Sequence, residues 1–231
     1  MYRSLDPARI VETADSLALR VAERFPGSGL SRVAAEIAET VRQARERCEA
    51  IGRPHRGLRV GIALLLGVGF AAVLVLALNL ELTAEMWRVE NFFSELNDLL
   101  GSAVFLGAAI VFLVTLEGRR KRTRALAAIA ELRALAHVVD MHQLTKDPDT
   151  VLGRAPPTEH SPKRSMDARA LMRYYDYCSE MLSVISKVGA LYVEALPDPV
   201  ALEAADDLEG LCTGLSRKIW QKAALLAGTS G

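Results

Sequence analysis

The sequence predicts an all-α protein, a two-pass transmembrane helical hairpin with an antiparallel, coiled-coil-like helical bundle on its cytoplasmic side. Three observations carry that expectation. Residues 60–80 and 99–116 are apolar runs without a single ionisable side chain. Outside them, apolar residues recur every three or four positions, the period of one helix face. No segment shows the strict alternation of a half-buried strand. Hydrophobic residues make up 51% of the 231-residue chain, above the roughly 45–50% usual in soluble domains.

The chain divides in order. Residues 1–59 are expected as a cytoplasmic helical hairpin. Asp6 is placed to cap its first helix and Pro7 to open it, and Ile10, Ala14, Leu17 and Val21 share one face. The turn PGSG at 26–29 ends that helix. Leu30, Val33, Ile37, Val41, Ala44, Cys48 and Ile51 then form the stripe of a second helix.

Residues 60–80 are long enough to cross a hydrocarbon core about 30 Å thick, at about 1.5 Å per residue. They begin far beyond the window of roughly 15–30 residues in which a secretory signal sits. Residues 99–116 form the shorter second span. Arg42, Arg45, Arg47, Arg53, Arg56 and Arg59 precede the first span, and Arg119, Arg120, Lys121, Arg122 and Arg124 follow the second, while only Arg88 lies between. Cations gather on the cytoplasmic side of bacterial-type inner membranes, so both termini are expected in the cytoplasm. Small residues at four-residue spacing, Ala63, Gly67 and Ala71 in the first span and Ala103 and Gly107 in the second, are expected to pack the helices closely, within the chain or between copies.

The outer segment, 81–98, carries Leu82, Met86, Val89, Phe93 and Leu96 at helical spacing, continued by Leu100, opposite Glu81, Glu85, Glu90, Glu95 and Asp98. It is expected as an amphipathic interfacial helix, or as an ion-attracting mouth if several copies surround a pore. Residues 117–152 extend the second span as a long rod that ends before Pro148, and 153–166 form a Pro-rich loop. Residues 167–231 are expected as a C-terminal hairpin. Leu171, Tyr174, Cys178, Met181, Ile185, Val188, Tyr192 and Ala195 form one seam. Asp198 and Pro199 restart the chain into a helix carrying Ala201, Ala205, Leu208, Cys212, Leu215, Ile219 and Leu226. Gly210 and Gly214 are expected to mark a close crossing, since glycine costs about 1 kcal/mol in a helix.

Chemistry-bearing signals are few. Cys48, Cys178 and Cys212 lie far apart without CxxC spacing and read as buried, reduced residues. Lys+Arg and Asp+Glu stand at 28 each, which excludes the basic character of a nucleic-acid binder. His137, Asp140 and His142 are the one candidate metal or acid/base cluster. His137 and His142 are five residues apart, about 140° around a helix at about 100° per residue, so they cannot chelate one ion from a regular helix. His137 and Asp140, three apart and adjacent on a helix, are expected instead as a pair that structures a helix end and its turn, with Asp147 and Pro148 starting a short new helix. No catalytic motif or cofactor fingerprint is present, so an enzyme is not the expectation and no cofactor is implied.

The two spans, acidic outer connection and cytoplasmic helices resemble, in architecture alone, two-pass channel subunits of the mitochondrial calcium uniporter pore family. That family's outer Trp-Asp…Glu-Pro signature is missing, because Trp87 is followed by Arg88, so no residue role is carried over. The expected function is a membrane-tethered scaffold or adaptor whose helical domain binds other proteins or a second copy of itself. An oligomeric cation channel, with Asn79, Asn97, Ser102 and Thr115 as polar lining, is the alternative. A metal-dependent membrane enzyme built on the histidine cluster is the third. The expected partners are the lipid bilayer and proteins, with no nucleic acid.

Overall fold

The computed structural model describes residues 4–53, 56–79, 89–154, 158–160 and 166–227. Among them are six long helices and one single turn, with no strand. The helices are α1 (Pro7–Arg24), α2 (Gly29–Gly52), α3 (Arg56–Asn79), α4 (Val89–Leu144), the short α5 (Pro148–Val151), α6 (Ala168–Ala195) and α7 (Pro199–Ala227). They form two compact units, one of Met1–Gly52 with Arg122–Gly231, the other of Arg53–Lys121.

The first unit has an apolar core built from the stripes visible in the sequence. Asp6 caps α1 by accepting from the Ala8 N–H at 2.9 Å, with Pro7 in the first turn. Gly27 adopts φ +67°, a conformation that other residues resist, and this lets the chain reverse into α2. Leu5 N–H donates to Glu194 Oε1, and Arg20 pairs with Glu180, so α1 and α6 run in opposite directions. Phe25 sets its ring edge against Tyr174 at 5.6 Å and against Tyr177 at 6.2 Å, adding aromatic contact to the apolar packing.

Helix α6 lies at the centre. Leu171, Tyr175, Cys178, Met181, Leu182, Ile185, Val188 and Tyr192 are each at most 1% exposed. A helix buried on several sides has several neighbours, and α6 packs on α1, α2 and α7. Ion pairs such as Arg47 with Glu131 and Arg42 with Asp15 lie on the exterior, where solvent screens them and they contribute little to stability.

The expected crossing at Gly210 and Gly214 is not there. A Cβ on either would meet nothing within 4 Å. Close approach occurs instead at Gly189 in α6, where a Cβ would stand 2.8 Å from Leu208 Cδ2 of α7. Sequence spacing located a glycine pair, but the α6–α7 contact uses a single glycine on the other helix.

In the second unit, α3 and the first part of α4 pack with Gly69 against Leu106, where a Cβ would fall 3.3 Å from Leu106 Cδ2. Lys121 Nζ donates to the Arg53 carbonyl at 3.1 Å and pairs with Glu117 at 2.9 Å. Large apolar side chains point outward on both helices, among them Leu64, Val68 and Phe70 on α3 and Val104, Phe105, Val111 and Phe112 on α4. Among the described residues one stretch, Leu100–Val151, is long and apolar enough to cross a membrane, and none of its apolar window is buried. The apolar stretch Val60–Ala71 is shorter.

Helix α4 is unbroken for 56 residues, about 84 Å at 1.5 Å per residue. The divisions expected at 98/99 and 116/117 are therefore changes of side-chain character along one helix. Between Leu100 and Lys121, Leu100, Val104, Phe105, Val111, Phe112 and Val114 are exposed. Beyond Arg122 it contributes Ala125, Ala128, Ile129, Leu132, Ala136 and Val139 to the core of the first unit.

Candidate functional site

The end of α4 is where the candidate histidine cluster falls. His137 is exposed, while Asp140 and His142 are half-buried. Among the described residues no group of three or more His, Cys, Asp or Glu is placed to hold a metal ion. Asp140 does not close on His137. Its Oδ1 accepts from Gln143 Nε2 at 2.6 Å, and Gln143 Oε1 accepts from Lys222 Nζ at 2.7 Å. A buried amide, 1% exposed, thus links a carboxylate on α4 to an ammonium on α7.

This linkage serves the helix end. The last carbonyls of an α-helix have no partner within it, and at α4 they find partners from far along the chain. Tyr174 OH donates to the His142 carbonyl at 3.1 Å, Lys222 Nζ to the Gln143 carbonyl at 3.2 Å, and Tyr175 OH to the Lys146 carbonyl at 2.7 Å. Asp147 then caps α5 by accepting from Asp149 N–H at 3.1 Å, with Pro148 in its first turn, as the spacing led one to expect. An ammonium donates through three protons and has no lone pair. Lys222 in this setting ties α7 to the end of α4.

Replacing Lys222 with methionine is expected to destabilise the chain by about 1–3 kcal/mol, because Gln143 keeps a buried acceptor that loses its donor. Adding Gln143→Leu is expected to restore part of the loss. Thermal unfolding of the two single variants and the double variant in detergent measures that coupling.

His142 lies against Gly29, where a Cβ would collide with its Cε1. Burial first, and then Arg32 and Lys146 nearby, hold its imidazole below the ordinary value of 6.5. The unfolded chain therefore binds the proton at a higher pH than the folded chain does. The resulting stability is fully present above about pH 6.5 and is lost as pH falls through the lowered value. His142→Gln is expected to flatten the fall in melting temperature over that window, read by unfolding at successive pH values.

The three cysteines are free and buried. Burial raises Cys48 and Cys212 to about 11 and Cys178 to about 12, so their thiols stay protonated and unreactive near neutrality.

The remaining expected positions fall as follows. Ala63, Gly67, Ala71, Ala103 and Gly107 are all exposed, and a Cβ on Gly67 or Gly107 would meet nothing within 4 Å. Among the described glycines of the second unit, the close contact is at Gly69, a position the four-residue pattern passed over. Glu81 and Glu85 lie outside the described residues. Glu90, Glu95 and Asp98 stand on the first turns of α4.

An open groove of about 580 Å³ runs between α6 and α7. Cys212 and Leu182 lie on its floor, with Lys187, Glu209, Arg217 and Trp220 around it. Trp220 is 72% exposed, whereas its neighbour Ile219 is 1% exposed and held in the core. Compared with known proteins, the chain matches no family model, no curated protein and no solved structure. Its own residues therefore carry the functional argument. Tryptophan and arginine at a groove are the residue types that dominate protein-binding energy, and the sequence SRKIWQK already held both. What the sequence lacked was the facing wall from α6.

Proposed function

We propose that this protein is a two-pass integral protein of a bacterial-type inner membrane, with both termini in the cytoplasm, that acts as a tethered scaffold or adaptor. Its antiparallel helical bundle presents the α6–α7 groove to other proteins or to a second copy. The observation that carries this reading is α4 itself, a single helix that is apolar and unburied in its first part and core-forming in its last. A chain that joins an unburied apolar stretch to a core-forming stretch in this way is suited to tether a helical domain to a bilayer. Arginine flanks on the two apolar helices support the orientation.

A photo-crosslinking amino acid at position 220 tests the binding role in cells. Discrete crosslinked products are expected from that position, and none from the exposed position 203 on another part of α7. A chain that stays monomeric and gives no discrete product at position 220 would sink the adaptor reading. Ion flux through liposomes holding the purified chain would instead favour the channel alternative.

A further inference from the structure

We propose that the cationic end of the α3–α4 unit is a docking surface for the phosphates of anionic phospholipids. This rests on the membrane reading above and names the lipid class that the unit selects.

Lys121 carries the geometry. Its Nζ reaches across to the Arg53 carbonyl, so the cations that precede α3 and those on α4 gather at one end of the unit. That contact brings Arg53 beside Lys121, Arg119 and Arg120 precede Lys121 on α4 by two and one residues, and Arg56 and Arg59 follow Arg53 by three and six in sequence. Glu117 is the acid on this stretch of α4, and its pairing with Lys121 leaves both groups mostly covered, 20% and 16% exposed. The arginines Arg119 and Arg120 remain exposed.

The apolar surface adjoins this collar. Val111, Phe112 and Val114 on α4 are 65%, 65% and 53% exposed, and Val60 and Leu64 on α3 are 58% and 64% exposed. Arg119 and Arg120 follow Val114 by five and six residues, about 7.5–9 Å along the helix. That is the depth at which headgroup phosphates lie when the apolar band is in hydrocarbon. Guanidinium groups match phosphate oxygens with paired donors, and a cation cluster at the cytoplasmic edge of a span attracts anionic lipid. A zwitterionic headgroup offers the same phosphate beside a cation of its own, so the surface discriminates by net charge.

The test uses the full chain reconstituted in nanodiscs of phosphatidylcholine and phosphatidylglycerol at equal mole fraction, then released for native mass spectrometry. The chain is expected to retain phosphatidylglycerol in preference to phosphatidylcholine. Arg120→Gln is expected to weaken that preference by about five-fold, and Arg119→Gln with it by about five-fold again. Equal retention of the two lipids, or a preference unchanged in both variants, would overturn the proposal. So would loss of the preference on adding millimolar inorganic phosphate, since the surface would then be a site for a free anion. Resistance of each variant to carbonate extraction keeps the tests apart: a chain that leaves the bilayer refutes the membrane reading, and one that stays without lipid preference refutes this one alone.

Discussion

Tyr175→Ala is expected to cost about 3–5 kcal/mol, a large part of the roughly 5–15 kcal/mol that holds a domain folded. The ring is 1% exposed in the middle of the core, so its removal leaves a cavity on the helix that touches α1, α2 and α7. The same substitution removes the hydroxyl that satisfies the Lys146 carbonyl at the end of α4. Tyr175→Phe separates the two effects. It keeps the ring and loses only the hydrogen bond, so its expected cost is about 1 kcal/mol. Melting temperatures of the full chain and its variants in detergent provide the measurement. Similar losses for alanine and phenylalanine would mean that the hydroxyl, and not the packing, carries the energy.

Val111→Arg is expected to stop α4 from integrating into a membrane. Val111 is 65% exposed and lies among Phe112, Val114 and Ile110, in the stretch without charge. An arginine near the centre of a span costs about 2.5–3.5 kcal/mol on insertion scales. The adjoining second-span residues gain nothing to offset that, because their side chains also face outward. A topology reporter fused after residue 231 reads the result: with α3 still anchoring the chain, the variant's C-terminus is expected to appear on the outer side, while the parent keeps it in the cytoplasm. Arg120→Gln serves as the control, since it alters charge outside the apolar stretch and is expected to leave integration intact. A parent chain already extractable by carbonate would defeat the membrane reading itself.

Much of the architecture was legible in the residues. The stripes of α1, α2, α6 and α7 gave the buried faces, because a period of three and four residues projects onto one side of a helix whatever lies opposite. Asp6–Pro7 and Asp147–Pro148 gave two helix starts through local capping, which needs only neighbours in sequence. The apolar character of residues 100–116 likewise appears in the structure as an unburied surface.

Less of the candidate site was legible. Asp140 looked like a partner for His137, three residues before it, yet it holds Gln143, three residues after it, because Gln143 is itself fixed by Lys222 from 79 residues away. Gly210 and Gly214 looked like a crossing and face open space, while Gly189 admits Leu208. The groove beside Trp220 exists only because α6 supplies its second wall.

The sequence by itself determined that the chain is helical, where most helices begin, which faces are apolar, and where charge is excluded. Those properties come from backbone periodicity, local caps and side-chain hydration, all of which act over a few residues. Only the tertiary structure decided which carbonyls at the end of α4 are satisfied, which glycine admits a neighbour, and which small residues are left outside. Each of these depends on a partner brought in by the packing of another helix, and spacing along one helix states a direction without naming what stands there.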